Sequence, residues 1–165
     1  MKREPQPETL TFFLDKCLGR HVVANALRQQ GCAVELLTDH FPPSAADTEW
    51  LPQLRGKGWV LLTKDGQIQF NQLEVESLLK ARVATFALSG ADLLGPDMAR
   101  AYCLALPTMR RMLAKYELPF VARVSPGGIV SNLTTNAQLL RRLQDRQTAA
   151  ENIEAAKAPP EPDDE

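Results

Sequence analysis

The sequence contains no Cys-x-x-Cys pair, has only two histidines, and has no apolar run longer than six residues. The first two absences exclude a zinc site recognisable by ligand spacing. The third excludes a membrane-spanning helix, which needs about 20 consecutive apolar residues. There is also no Gly-x-Gly-x-x-Gly, no Gly-Lys-Ser/Thr loop and no Gly-x-Ser-x-Gly elbow, so the common nucleotide cradles and serine-hydrolase geometry are missing. His21 and His40 sit in no catalytic motif. The three cysteines, Cys17, Cys32 and Cys103, lie far apart, which fits a reduced, cytoplasmic protein. The first eight residues are polar and carry two prolines, unlike the apolar core of a signal peptide. Charge of one sign is lacking too. Nineteen Lys and Arg stand against 20 Asp and Glu, for a net charge of -1, which rules out a histone-like polycation.

What remains is one domain's length of chain, 165 residues with 44% apolar and 24% charged side chains. Short apolar runs alternate with helical patterns. Thr11-Phe12-Phe13-Leu14 reads as a strand, and Gly19 to Gln30 as a helix whose Val22, Val23, Ala26 and Leu27 share a face, with Gly31 as its cap. A strand from Ala33 to Leu37 leads into a polar loop. A helical stretch between Asp47 and Lys57 follows, made irregular by Pro52. Gly58 to Thr63 is the strongest strand signal. Asn71 to Lys80 reads as a helix and Arg82 to Leu88 as the next strand. Gly95-Pro96 opens a long helical region that Pro107 should interrupt or kink. Pro119 to Val124 and Ile129 to Asn132 complete the strands, joined by a Pro126-Gly127-Gly128 turn. Such alternation implies a mainly parallel sheet covered on both faces, an α/β, Rossmann-like architecture. The pattern divides the chain into a polar segment (1–10), the α/β domain (11–132), a C-terminal helix (133–156) and an acidic, proline-rich tail (157–165) expected to be disordered.

The informative polar residues are carboxylates. Asp15 ends the first strand and Asp65 follows the third, so a parallel sheet would bring both to one edge, where open α/β sheets bind ligands. Asp47 opens the intervening helical stretch and would face the same edge. Acids converging without obligate partners repel one another unless a cation joins them. Mg²⁺ or Mn²⁺ favours such oxygen-rich ligation. Simpler roles stay open: Asp47 as a helix N-cap, and Asp65-Gly66 as a turn dipeptide. Asp15 has no evident capping duty. Glu74 is a weaker candidate for the same site, because Asn71-x-x-Glu74 reads as a capping box and favours a structural job; Asp39 and Glu49 read as loop residues or outer supports of a metal site.

The segments Phe12-Phe13-Leu14-Asp15-Lys16-Cys17-Leu18-Gly19-Arg20, Asp39-His40-Phe41, Asp47-Thr48-Glu49-Trp50 and Gly58-Trp59-Val60-Leu61-Leu62-Thr63-Lys64-Asp65 resemble the PIN-like ribonucleases, in particular the branch related to VapC-type toxins. The resemblance runs in order from about residue 11 to residue 130. It implies a three-layer α/β/α fold and an endoribonuclease dependent on Mg²⁺ or Mn²⁺. Carried over residue by residue, Asp15, Asp47 and Asp65 become the metal ligands and catalytic acids. RNA is then the substrate, with Lys16, Arg20 and Lys64 as phosphate contacts or ordinary solvated charges, and an antitoxin protein or a second copy of the chain as partner. Relatives often have a fourth acid soon after the third, whereas this stretch offers Gln67, Gln69 and Asn71. That departure motivates the alternative of a catalytically silent PIN-like module that binds RNA or protein. The charge is also unevenly spread: residues 100–150 hold eight Lys and Arg against Glu117 and Asp145, a local basic segment within a near-neutral chain.

Overall fold

The computed structural model describes residues 10–157, so the expectations for the first nine residues and for the tail from 158 lie outside the described residues. Six strands form one sheet in the order β2-β1-β3-β4-β5-β6. They are β1 (Thr11–Leu14), β2 (Ala33–Leu36), β3 (Trp59–Thr63), β4 (Ala84–Leu88), β5 (Phe120–Val124) and β6 (Val130–Thr134). All neighbours run parallel except β5 and β6, which are antiparallel and joined by the proline-glycine turn. The helices are α1 (Val22–Gln29), α2 (Leu37–His40), α3 (Asp47–Trp50), α4 (Gln72–Ala81), α5 (Gly95–Lys115) and α6 (Asn136–Lys157).

The period-two alternation of the strands sets the layers. Phe12 and Leu14 of β1, Val60 and Leu62 of β3, Phe86 of β4 and Phe120 of β5 point into one core, against Val23, Leu27, Tyr102 and Met109 of α1 and α5. Phe13, Leu61 and Val121 point the opposite way, onto Trp50, Leu54, Val75, Leu78 and Leu139 of α3, α4, α6 and the connecting turn. Both faces are therefore apolar and covered, which gives the three-layer α/β/α fold. The main core sits on the first face and is filled by large side chains with essentially no exposure, Phe12, Phe86, Phe120 and Tyr102 among them.

Several elements differ from the sequence expectation. Helix α5 runs unbroken through Pro107. Buried Tyr102, Ala105 and Leu106 before the proline and Met109 after it belong to the same core, and that packing outweighs a lost backbone donor on an exposed face. Residues 37–40 form a helical turn where a strand end and a loop were expected, and β6 extends to Thr134. Pro52 behaves as anticipated: α3 gives way at Leu51 to a 3-10 turn, Leu51–Leu54. At the C-terminus α6 buries only Leu139, and every residue from Gln147 to Lys157 is exposed. Among the described residues no helix is long and apolar enough to cross a membrane.

The chain leaves β1 toward β2 on one side and returns through α3 to β3 on the other. The strand order therefore reverses between β1 and β3, and the crevice beyond their carboxyl ends is where open α/β sheets take ligands.

Candidate metal centre

β1 and β3 are paired in register, Leu14 beside Leu62, and the Asp15 N–H continues the ladder to the Leu62 carbonyl at 3.0 Å. That registry sets Asp15 next to Thr63 at the crevice floor. The Thr63 hydroxyl donates to Asp15 Oδ2 at 2.8 Å and accepts the Asp65 N–H at 3.0 Å. One buried hydroxyl thus links two of the acids. Beneath it, the hydroxyl of fully buried Tyr102 lies 3.1 Å from the Thr63 carbonyl and 3.0 Å from that of Phe86. The strand end is consequently tied to α5 and β4.

Asp47 arrives from the second face. It is the first residue of α3, and Ala46, not Asp47, is the N-cap. Its Oδ1 instead accepts from Trp50 Nε1 at 3.1 Å, one turn on. Trp50 is 1% exposed and packs on Phe13, so the core itself aims this carboxylate. Asp65 caps the 3-10 turn Gly66–Gln69 by accepting the Gln67 N–H at 3.0 Å. Asp15, for which the sequence suggested no capping duty, caps the 3-10 turn Lys16–Leu18 through the Lys16 N–H at 2.7 Å. A strand that turns directly into a 3-10 helix leaves amide donors at the turn, and Asp15 accepts one of them.

Glu74 is the residue that sequence reasoning set aside. Half of the anticipated capping box forms, since Asn71 Oδ1 accepts from the Leu73 and Glu74 N–H groups. The reciprocal half does not, because the Asn71 N–H is donated to the Gln67 carbonyl. The Glu74 carboxyl turns toward the crevice, where one oxygen each from Asp47, Asp65 and Glu74 lies within 4.8 Å of the others. The signal available in the sequence was position: Glu74 lies in the first turn of the helix that follows Asp65, so its side chain can return to the same edge.

The electrostatics record the crowding. Burial, then the Asp47 and Asp65 charges, push the Glu74 carboxyl up to about 7, with Asp15 adding to the effect. Asp47 is also raised, by burial first and then by Asp15 and Asp65. Glu74 therefore retains a proton near neutrality and shares it with Asp47 through a side-chain hydrogen bond. Cys17 lies beside them, its thiol raised by burial and by Asp15, its sulfur accepting the Lys64 N–H at 3.3 Å. Among the described residues no Lys or Arg forms an ion pair with Asp15, Asp47, Asp65 or Glu74. An all-oxygen donor set, mutually repelling and without a basic partner, suits a hard divalent ion.

The basic residues singled out in the sequence are placed less uniformly. Arg20 is committed to Asp39 at 2.8 Å and to the Thr38 hydroxyl, which also answers what Asp39 does. Lys16 Nζ donates to the Pro43 carbonyl at 3.3 Å. Lys64 is half-buried beside Asp65, and its ammonium has no partner among the described residues. Glu49 is exposed on α3.

Residues 10–90 match the model of a family described as PIN like domain. Over 123 residues the chain is 29% identical to a Mycobacterium tuberculosis protein named "Putative ribonuclease VapC45", an alignment that covers 72% of this chain and 88% of that protein. No solved structure matches the chain.

Proposed function

Residues 10–90 of this chain are a PIN-like domain, and from that premise we propose that the protein is an endoribonuclease that hydrolyses RNA phosphodiester bonds with Mg²⁺ or Mn²⁺. The observation that carries the proposal is the convergence of Asp47, Asp65 and Glu74 within 4.8 Å, with Asp15 beside them, at the switch point of the sheet. The ribonuclease named in the Mycobacterium relative supports the same reading. Glu74 would also supply the acid that the stretch from Gln67 to Asn71 lacks, which favours the nuclease over a silent module.

Asp47, Asp65, Glu74 and Asp15 would hold the ion or ions. When bound, the ion polarises a phosphoryl oxygen and lowers the pKa of water. The chain's own residues prepare that site. Thr63 fixes Asp15 and Asp65, and Trp50 fixes Asp47, so the carboxylates require little reorganisation to serve as ligands. Glu74 must release the proton it shares with Asp47 before its oxygens can ligate, which couples metal affinity to pH near 7. Lys64, half-buried next to Asp65, is available to a substrate phosphate. The finer reading, the toxin of a pair whose antitoxin protein covers the site, follows the resemblance to VapC-type proteins.

A pool of mixed RNA incubated with the purified protein tests the proposal. We expect cleavage with Mn²⁺, none with chelator, and a loss of at least a hundredfold in Asp15→Asn and Asp65→Asn with melting temperatures retained. Full activity in both variants would refute it.

A further inference from the structure

A second pocket adjoins the acidic centre and has the opposite sign. It encloses about 270 Å³ and is lined by Gln69, Phe70, Arg123, Thr134, Gln138 and Arg142, with no carboxylate in its wall. Arg142 is held there by neutral partners. Its Nη1 donates to the Gln69 carbonyl at 2.9 Å, and its guanidinium lies 4.7 Å from the centre of the Phe70 ring. Gln69 is itself fixed, its Oε1 accepting from the buried Thr134 hydroxyl. Arg123 leaves β5 half-buried, and among the described residues its guanidinium has no hydrogen-bond or ion-pair partner. Two uncompensated guanidiniums on one cavity wall are costly to hold together unless an anion joins them, and their forked donors match a phosphate.

The location names the anion. The Arg123 guanidinium lies flat over Gly66, and a Cβ on that residue would stand 3.1 Å from Nη2 and 3.2 Å from Cζ. Gly66 directly follows Asp65, so the arginine pocket and the acidic centre share one turn. We propose that Arg123 and Arg142 form a subsite for a backbone phosphate of single-stranded RNA, one that neighbours the phosphate attacked at the acids. The inference rests on the ribonuclease reading for its choice of ligand. It gives the basic segment from 100 to 150 a specific task, since both arginines belong to it.

The test separates the two readings by measuring RNA binding without metal. A labelled single-stranded RNA is titrated in chelator at several salt concentrations, following anisotropy. Arg123→Gln should weaken binding about tenfold near 0.1 M salt, whatever the RNA sequence, and should flatten the slope of log affinity on log salt by about 0.7. Arg123→Lys should keep the slope and lose part of the affinity, because charge survives without the fork. Gly66→Ala, whose Cβ would press the guanidinium aside by a few tenths of an ångström, should keep the slope and lose part of the affinity, as Arg123→Lys does. Among the described residues the Arg123 guanidinium has no hydrogen-bond or ion-pair partner, so Arg123→Gln should melt like the wild type. If the wild type does not bind RNA, or if Arg123→Gln binds with unchanged affinity and slope, the subsite is refuted even where cleavage is observed. If binding depends on Arg123 but Mn²⁺ elicits no cleavage, the subsite stands and the nuclease reading falls.

Discussion

Replacing Glu74 with Gln should make the metal-free protein more stable at pH 8 and the Mn²⁺-loaded protein less stable than wild type. The sign follows from linkage. Glu74 has its carboxyl raised from the ordinary 4.5 to about 7, so between those values the folded state binds a proton that the unfolded state has released. Stability therefore falls as pH rises from 4.5 to 7 and levels off above. Below pH 4.5 both states are protonated and the carboxyl has no penalty. Glutamine keeps the shape and the donor to Asp47 but never carries the charge.

The full shift would correspond to about 3.5 kcal/mol at about 1.4 kcal/mol per unit. Glu74 is only partly buried, and solvent screening reduces the realised penalty to on the order of 1 kcal/mol. For a domain of this size that is about 2–4 °C in Tm. Glu74→Gln should thus match wild type at pH 5 and exceed it by about 2–4 °C at pH 8 in chelator. Mn²⁺ reverses the order. Binding at a hundred times Kd stabilises by about 2.7 kcal/mol, and a tenfold weaker site forfeits about 1.4 kcal/mol of that. Differential scanning fluorimetry at pH 5, 6.5 and 8, with chelator and with Mn²⁺, reads all four quantities. A variant that is less stable than wild type in chelator at pH 8, or that gains as much from Mn²⁺, would show that Glu74 neither repels its neighbours nor ligates.

Thr63→Val removes the hydroxyl that joins Asp15 Oδ2 to the Asp65 N–H, so Mn²⁺ affinity measured by calorimetry should fall about tenfold with a stability loss of about 1–2 kcal/mol. Leu139→Ala empties the only buried position of α6 and should cost about 2–4 kcal/mol or detach the helix, read as faster amide exchange across residues 136–157.

The strands were legible because their side chains alternate without interruption. Phe12, Phe13 and Leu14, or Val60, Leu61 and Leu62, are apolar on both faces, and only a covered parallel sheet accepts that pattern. From the strands alone it followed that Asp15 and Asp65 share an edge. The route of Asp47 was legible only in outline, because its aim depends on a hydrogen bond to an indole buried in the second core. Glu74 was hidden by a local rule that was half right. Asn71 does cap the helix, but the choice of whether Glu74 caps in return was decided by Gln67, whose carbonyl already holds the Asn71 N–H. The interruption expected as one outcome at Pro107 is absent. A residue that breaks an isolated helix is tolerated where Tyr102, Leu106 and Met109 are locked in one core. The arginine pocket was visible only as a count of positive charges, since sequence distance says nothing of Arg123 lying on Gly66.

The repulsion among the acids has a structural consequence for where such a site can be built. Carboxylates crowded closely enough to raise the pKa of Asp47 and Glu74 work against folding at neutral pH, so their scaffold must be over-determined by other contacts. Each acid is indeed fixed by something that does not depend on the others: Asp15 by the β1–β3 ladder, Asp47 by Trp50, Asp65 by the Gln67 amide, and Glu74 by the capped start of α4. These anchors trace back to side chains with almost no exposure, Phe13, Leu62, Trp50, Ile68 and Val75, on both faces of the sheet. A cation bound there would add to stability by cancelling repulsion at preformed positions, without having to order a loop. The same logic places the guanidiniums beyond Gly66 instead of among the carboxylates. An arginine paired with Asp65 would quench the repulsion permanently and remove the incentive to bind a metal, whereas one turn away its charge would stay available to the proposed RNA phosphate.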